Sequence, residues 1–146
     1  MMRKTIFIIF VLFGFDGYSQ DLACGDFKKG IFTGEITLPS LNVIKWKIVR
    51  NGNEQSEIYT QIPEELQTVD FPTKPQYGII KWIDDCSYTL IYDEKKSDLT
   101  NIQKTINMMG GFLNKITRIE GKCAYYKSTL TIGNETQVNE GKFCAE

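Results

Sequence analysis

The chain predicts a mainly β domain, a single antiparallel meander that curls into a barrel or half-barrel with one short helix. Three observations carry this expectation. Most segments alternate apolar and polar residues with period two, the pattern of half-buried strands. Turn-forming residues separate those segments at short intervals. One stretch alone, Leu99 to Met109, places apolar residues at helical spacing.

Gly30 to Thr37 (GIFTGEIT) reads as a first strand that ends before Pro39. In Val43 to Arg50 (VIKWKIVR), Ile44, Trp46 and Ile48 share one face while Lys45 and Lys47 occupy the other. Asn51-Gly52-Asn53 is a turn signal, because Asn and Gly tolerate positive φ. Glu54 to Gln61 returns as the third strand. Ile62 to Gln76 breaks the alternation with Pro63, Pro72 and Pro75 and reads as a long surface loop, with one helical turn at Pro63 to Leu66. Tyr77 to Ile83 and Cys86 to Tyr92 form the next two strands around an Asp84-Asp85 turn. Tyr88, Leu90 and Tyr92 fall on one face of the second.

Asp93 to Asp98 is a charged connection. Leu99, Ile102, Ile106 and Met109 then recur at helical spacing, and Gly110-Gly111 stops the helix. Leu113 to Glu120 resumes strand character. Gly121-Lys122 turns the chain into Cys123 to Ile132, and Gly133-Asn134 turns it again into a last strand through Phe143. This makes six to eight strands.

Residues 1–19 read as a leader. Arg3 and Lys4 form a positive start, Ile6 to Phe15 is an apolar run of ten residues, and Gly17-x-Ser19 fits the small-x-small cleavage rule. The run falls short of the roughly 20 apolar residues that a membrane-spanning helix needs. The expected product is a secreted or periplasmic protein cut between Ser19 and Gln20, with residues 20–146 forming one β-rich domain. Leu22-Ala23-Cys24 looks like the end of a lipobox. Asp21 occupies the position where that motif wants an apolar side chain, and the apolar run ends nine residues before Cys24, so no lipid anchor is expected.

Composition narrows the partners. The chain has 17 basic and 18 acidic residues, and loss of the leader leaves 15 and 17. That balance excludes a general electrostatic grip on nucleic acid or anionic membranes. Lys28-Lys29 and Lys95-Lys96 read as solvated loop charges. An even count of four cysteines, Cys24, Cys86, Cys123 and Cys144, points to disulfides in an exported chain, and four cysteines allow three pairings. No two form a CxxC pair and histidine is absent, so no zinc site is expected.

Without histidine, the Ser-His and Cys-His nucleophile pairs are excluded. No phosphate loop or EF-hand loop is present, and no cofactor is expected. Asp84-Asp85 and Glu64-Glu65 read as turn residues rather than acid/base pairs. The aromatic side chains remain. Trp46, Trp82, Tyr88, Tyr92, Tyr125 and Tyr126 come from several strands, and in a small barrel they either fill the core or line a cavity for a small apolar or aromatic molecule. Trp46, Trp82, Tyr88, Tyr92 and Tyr125 are the candidate ligand-binding residues.

Two segments carry a resemblance: Cys24-Gly-Asp-Phe-Lys-Lys-Gly-Ile-Phe32 and Ile80-Lys-Trp-Ile-Asp-Asp-Cys-Ser-Tyr-Thr-Leu90. They resemble a group of small secreted proteins of Bacteroidetes, flavobacteria especially, that begin C-x-x-F-K-x-G-x-F and continue K-W-x-x-x-C-x-Y-x-L. Some members carry a DNA topoisomerase IV label, which does not suit a small, exported, slightly acidic domain. The resemblance implies compartment and fold and carries no mechanism. It implies a Cys24–Cys86 bridge, because each shared motif holds one of the two, and leaves Cys123 with Cys144, a pair that departs from the group's pattern. A meander could also bring Cys24 to Cys144 at adjoining termini. The functional expectation is a non-catalytic, exported binding domain with a lipocalin-like curled sheet. The alternative is an envelope structural or interaction module that docks a partner protein on its sheet face or edge. A concave, partly apolar pocket among the aromatics favours the first, and a filled barrel the second.

Overall fold

Alternation at nearly every strand position, with turns between, lets each segment pair with the one before it. The computed structural model describes residues 21–146, so the leader and its cleavage site lie outside the described residues. Eight strands follow in chain order: β1 (Lys29–Thr37), β2 (Val43–Asn51), β3 (Glu54–Gln61), β4 (Gln76–Trp82), β5 (Ser87–Tyr92), β6 (Phe112–Glu120), β7 (Cys123–Ile132) and β8 (Glu135–Ala145). One α-helix, α1 (Asn101–Met108), lies between β5 and β6. Every strand pairs antiparallel with its neighbour in sequence, and β8 returns to β1 with Phe32 opposite Ala145 and Glu35 opposite Lys142. The sheet is therefore a closed, lipocalin-like barrel and not a half-barrel. Closure leaves no continuous free edge.

The expected elements stand where the turn residues put them, with shifts of a residue or two at their ends. Gln76 joins β4 rather than the loop, and the short turn within that loop is a 3₁₀ helix, Glu64–Leu66. One element was not anticipated. A 3₁₀ turn, Cys24–Lys28, precedes β1 and is closed by Asp26, whose Oδ2 accepts from the Ala23 N–H at 2.8 Å.

The two ends of the barrel differ. At one end the β2–β3, β4–β5 and β6–β7 connections are short turns, and the 3₁₀ turn plugs the opening with Phe27, which is fully buried. The Phe27 ring meets Phe143 edge-on at 5.3 Å and Phe32 at 5.7 Å, between β1 and β8. Ile48, Ile116 and Ala124 complete this core. Burying each large side chain contributes about 1.5–3 kcal/mol.

Both disulfides lie at this end. Cys24–Cys86 ties the plug to the start of β5, and Cys123–Cys144 joins register partners on β7 and β8. Disulfides of this kind persist in oxidising compartments. The bridged sulfur of Cys24 leaves no thiol there for a lipid thioether. Lys28, read from sequence as a solvated loop charge, reaches Asp85 at 2.6 Å and lies 5.1 Å over the Trp82 ring, because the plug sets it against the β4–β5 turn. That pairing, through the hydrogen bond first, holds the Asp85 carboxyl below its usual range. Asp84 makes the expected Asx turn, its Oδ1 accepting from the Cys86 N–H at 2.8 Å.

Long connections gather at the other end. Glu65 bridges two of them, accepting from the Ser40 hydroxyl and from Asn42 Nδ2. Helix α1 starts at a capping box between Thr100 and Gln103. It is fixed to β5 by Asn107, whose side chain accepts from the Tyr92 N–H at 2.8 Å and donates to the Tyr92 carbonyl at 2.9 Å. Gly111, at φ 78°, returns the chain past β5 so closely that a Cβ would fall 2.3 Å from the Leu90 carbonyl oxygen. Only glycine fits there. Among the described residues, no helix is long and apolar enough to cross a membrane.

Candidate functional site

Period-two alternation aims every second side chain at the barrel axis, and the inward set changes character along that axis. Near the plug it is phenylalanine and isoleucine. Above the plug the side chains stop short of filling the interior and leave a cavity of about 230 Å³. Its floor is Arg50, Tyr88 and Phe143, and its walls include Trp46, Glu57, Tyr59, Asn114 and Tyr126. Gln76, Tyr92 and Phe112, at the loop-bearing ends of β4, β5 and β6, form the rim. Trp46 can lie against β1 because its register partner is Gly34; a Cβ there would come within 2.4 Å of the indole. Phe71, from the loop before β4, packs edge-on against Tyr59 at 5.0 Å and so covers that side of the wall.

Three of the aromatic residues expected from sequence meet at this cavity: Trp46, Tyr88 and Tyr92. Trp82 and Tyr125 do not line it. Trp82 sits at the plugged end, its Nε1 donating to the Gly52 carbonyl at 3.1 Å and its ring packed on Tyr88 at 4.7 Å. Tyr125 faces outward on β7 under the Arg118 guanidinium, 4.1 Å from its ring, and its neighbour Tyr126 turns inward instead. A bulge between Ile116 and Arg118 in the β6–β7 pairing also places Arg118 outside.

Sequence reasoning missed the polar centre. Arg50 continues the inward face of Trp46 and Ile48 and is only 3% exposed. Its guanidinium lies 4.7 Å from the Phe143 ring and 4.8 Å from the Tyr88 ring. Each of its three nitrogens has a partner: Nε reaches Gln55 Oε1 at 2.6 Å, Nη1 reaches the Phe27 carbonyl at 3.1 Å, and Nη2 reaches the Tyr88 hydroxyl. Gln55, buried next to it, passes the chain on by donating from Nε2 to Glu57 Oε1. The other carboxylate oxygen, Oε2, has no hydrogen-bond partner among the described residues. The signal was parity: Gln55, Glu57 and Tyr59 alternate in step, as do Trp46, Ile48 and Arg50.

Burial pushes the Glu57 carboxyl up from its ordinary value, against the opposing pull of the Arg50 charge and the Gln55 hydrogen bond. Burial likewise raises the phenols of Tyr59, Tyr88, Tyr92 and Tyr126, and the Glu57 charge adds to each rise. These four phenols are therefore neutral through the physiological range.

A stability consequence follows from Glu57. The folded state holds its proton more tightly than the unfolded chain does, so between the ordinary glutamate range and the raised value it carries more protons than the unfolded state. Stability then falls as pH rises through that window. Glu57→Gln removes the loss while keeping the amide contact to Gln55. Its melting temperature is expected to exceed that of the parent by several degrees at pH 7.5, with the gap closing by about pH 4. Thermal unfolding at both pH values checks this, and a variant less stable than the parent at pH 7.5 contradicts it.

Comparison with protein-family models, with curated proteins and with solved structures finds no match.

Proposed function

We propose that the domain is an exported, non-catalytic binding barrel that takes one small molecule into its central cavity. The observation that carries this reading is the unfilled interior: about 230 Å³ bounded by apolar rings, with a few polar groups converging from β2, β3, β6 and β7. Ligand sites are commonly built this way, with an apolar lining that supplies affinity and sparse polar groups that fix orientation. A cavity of about 150 Å³ holds benzene, so this one suits a ligand of roughly nine or ten non-hydrogen atoms. The alternative, an envelope interaction module acting through its sheet face or edge, gains nothing from an internal cavity. Export is supported by the leader-like start, by the resemblance to small secreted flavobacterial proteins, and by two bridges that need an oxidising compartment.

The test is an NMR titration of the isotope-labelled protein with benzyl alcohol. Saturable shifts clustered on Trp46, Tyr59, Tyr92 and Asn114 are expected. Shifts confined to the outer face overturn the reading, as does failure of benzyl alcohol, benzylamine and benzoate alike to shift these residues.

A further inference from the structure

Two charged side chains line the cavity, Arg50 and Glu57, and the fold treats them differently. Arg50 points to the plugged end. Its donors are committed to the Phe27 carbonyl, the Tyr88 hydroxyl and Gln55, and aromatic rings cover it. All three of its nitrogens are already engaged by the protein. Glu57 is the reverse. One oxygen accepts from Gln55, and Oε2 borders the cavity without a protein partner among the described residues. Tyr59 and Tyr92 stand beside it on the cavity wall, and Tyr126 lines the cavity from β7. Their rings are electron-rich faces that attract cations.

We propose that the ligand is a small organic cation, an ammonium carried on a compact apolar or aromatic body, with Glu57 Oε2 as its counter-ion and Tyr59, Tyr92 and Tyr126 as its aromatic surround. The proposal rests on the cavity-binding reading above and adds the sign of the ligand's charge. An anion would meet the Glu57 carboxylate, while the Arg50 nitrogens are already engaged by Phe27, Tyr88 and Gln55. A neutral molecule of the same shape would leave Oε2 without a partner, as it is now. A cation satisfies that oxygen and gains from the rings as well. It also accounts for a partly buried carboxylate on the cavity wall: the site carries a charge whose partner arrives with the ligand.

The pH behaviour follows from the groups that face Glu57. Arg50 on β2 faces it with a positive charge, and Tyr59 on its own strand, Tyr88 and Tyr92 on β5 and Tyr126 on β7 stay neutral. Glu57 is the cavity carboxyl whose proton burial holds above the ordinary glutamate range. Cation binding should weaken as pH falls and Glu57 takes up its proton.

The experiment compares three probes that share one ring and differ in charge, benzylamine, benzyl alcohol and benzoate, by calorimetry on the disulfide-bonded mature protein at pH 7.5. Benzylamine is expected to bind at least about tenfold more tightly than benzyl alcohol, with benzoate weaker than both. In Glu57→Gln, whose fold is checked by near-ultraviolet circular dichroism, benzylamine and benzyl alcohol should come within about twofold of each other. For the parent protein, the benzylamine preference should shrink at pH 5.5. Benzyl alcohol or benzoate binding as tightly as benzylamine overturns the charge assignment and leaves the cavity-binding reading standing. So does a preference that survives in Glu57→Gln. Failure of all three probes to bind overturns both.

Discussion

Replacing Arg50 with methionine should destabilise the domain by about 3–5 kcal/mol, the range for removing one member of a buried, hydrogen-bonded charge system. The methionine chain follows the aliphatic stem and fills much of the volume, so the loss is not one of packing. It arises because three partners keep their places and lose their donor: the Phe27 carbonyl, the Tyr88 hydroxyl and Gln55 Oε1. Glu57 also loses the positive charge that offsets its burial. A single domain has roughly 5–15 kcal/mol in total, so this change should bring unfolding close to working temperature. Urea unfolding followed by tryptophan fluorescence measures it. Adding Glu57→Gln to Arg50→Met should restore part of the loss, because the uncompensated carboxylate is then gone and the two effects share a network. An Arg50→Met variant within 1 kcal/mol of the parent would show that the network contributes nothing beyond filling space.

The second large effect is expected from the bridge between the plug and β5. Cys24–Cys86 closes a loop of 62 residues, and Cys123–Cys144 one of 21. Restricting the unfolded chain in this way contributes roughly 4 and 3 kcal/mol respectively. The native consequences differ more than those figures. Cys123 and Cys144 are already register partners on adjacent strands, so the ladder holds them together without sulfur. Cys24 belongs to a short 3₁₀ turn whose other ties to the barrel include the Phe27 ring, the Phe27 carbonyl, the Lys28–Asp85 pair and the Lys28 carbonyl, which accepts from the Gly52 N–H at 3.0 Å. Cys24→Ala with Cys86→Ala should therefore lower stability by about 4 kcal/mol and also expose Phe27 and the Arg50 floor to hydrogen exchange. The Cys123/Cys144 double alanine should lower stability by about 3 kcal/mol and affect mainly the β8 end. Paired denaturation and exchange measurements test the contrast. Equal exchange patterns in the two variants would refute it.

The strands were legible because each is half-buried and bounded by residues with special backbone preferences. Gly52, Gly121 and Gly133 all take positive φ at the turns the sequence marked. The closed barrel was less legible than the meander. Whether β1 meets β8 depends on twist and stagger accumulated over all eight strands, and no local pattern records that sum. The aromatic site was half legible. Trp46, Tyr88 and Tyr92 lie on strands with clean alternation, whereas Tyr125 and Tyr126 are adjacent and a one-residue difference in register decides which turns inward. Trp82 ends up at the plug because of the unanticipated turn before β1. Arg50 and Glu57 were hidden for a physical reason. A charged residue reads as solvent-facing unless its partners are known, and those of Arg50 come from the plug, from β3 and from β5.

The seam between β1 and β8 bears on when the molecule can fold. Phe32 lies against Ala145 and Glu35 against Lys142, so the first strand to be made waits for the last. Local hairpins such as β1–β2 and β2–β3 can form early, but the second edge of β1 has no partner until β8 is present, and such long-range closure is slow. The plug adds to the delay, since Phe27 packs on Phe143 of that same final strand. A chain of this design cannot close its barrel until almost its last residue is made. Closing that late fits the export proposed above, in which the chain would cross a membrane before its barrel is complete.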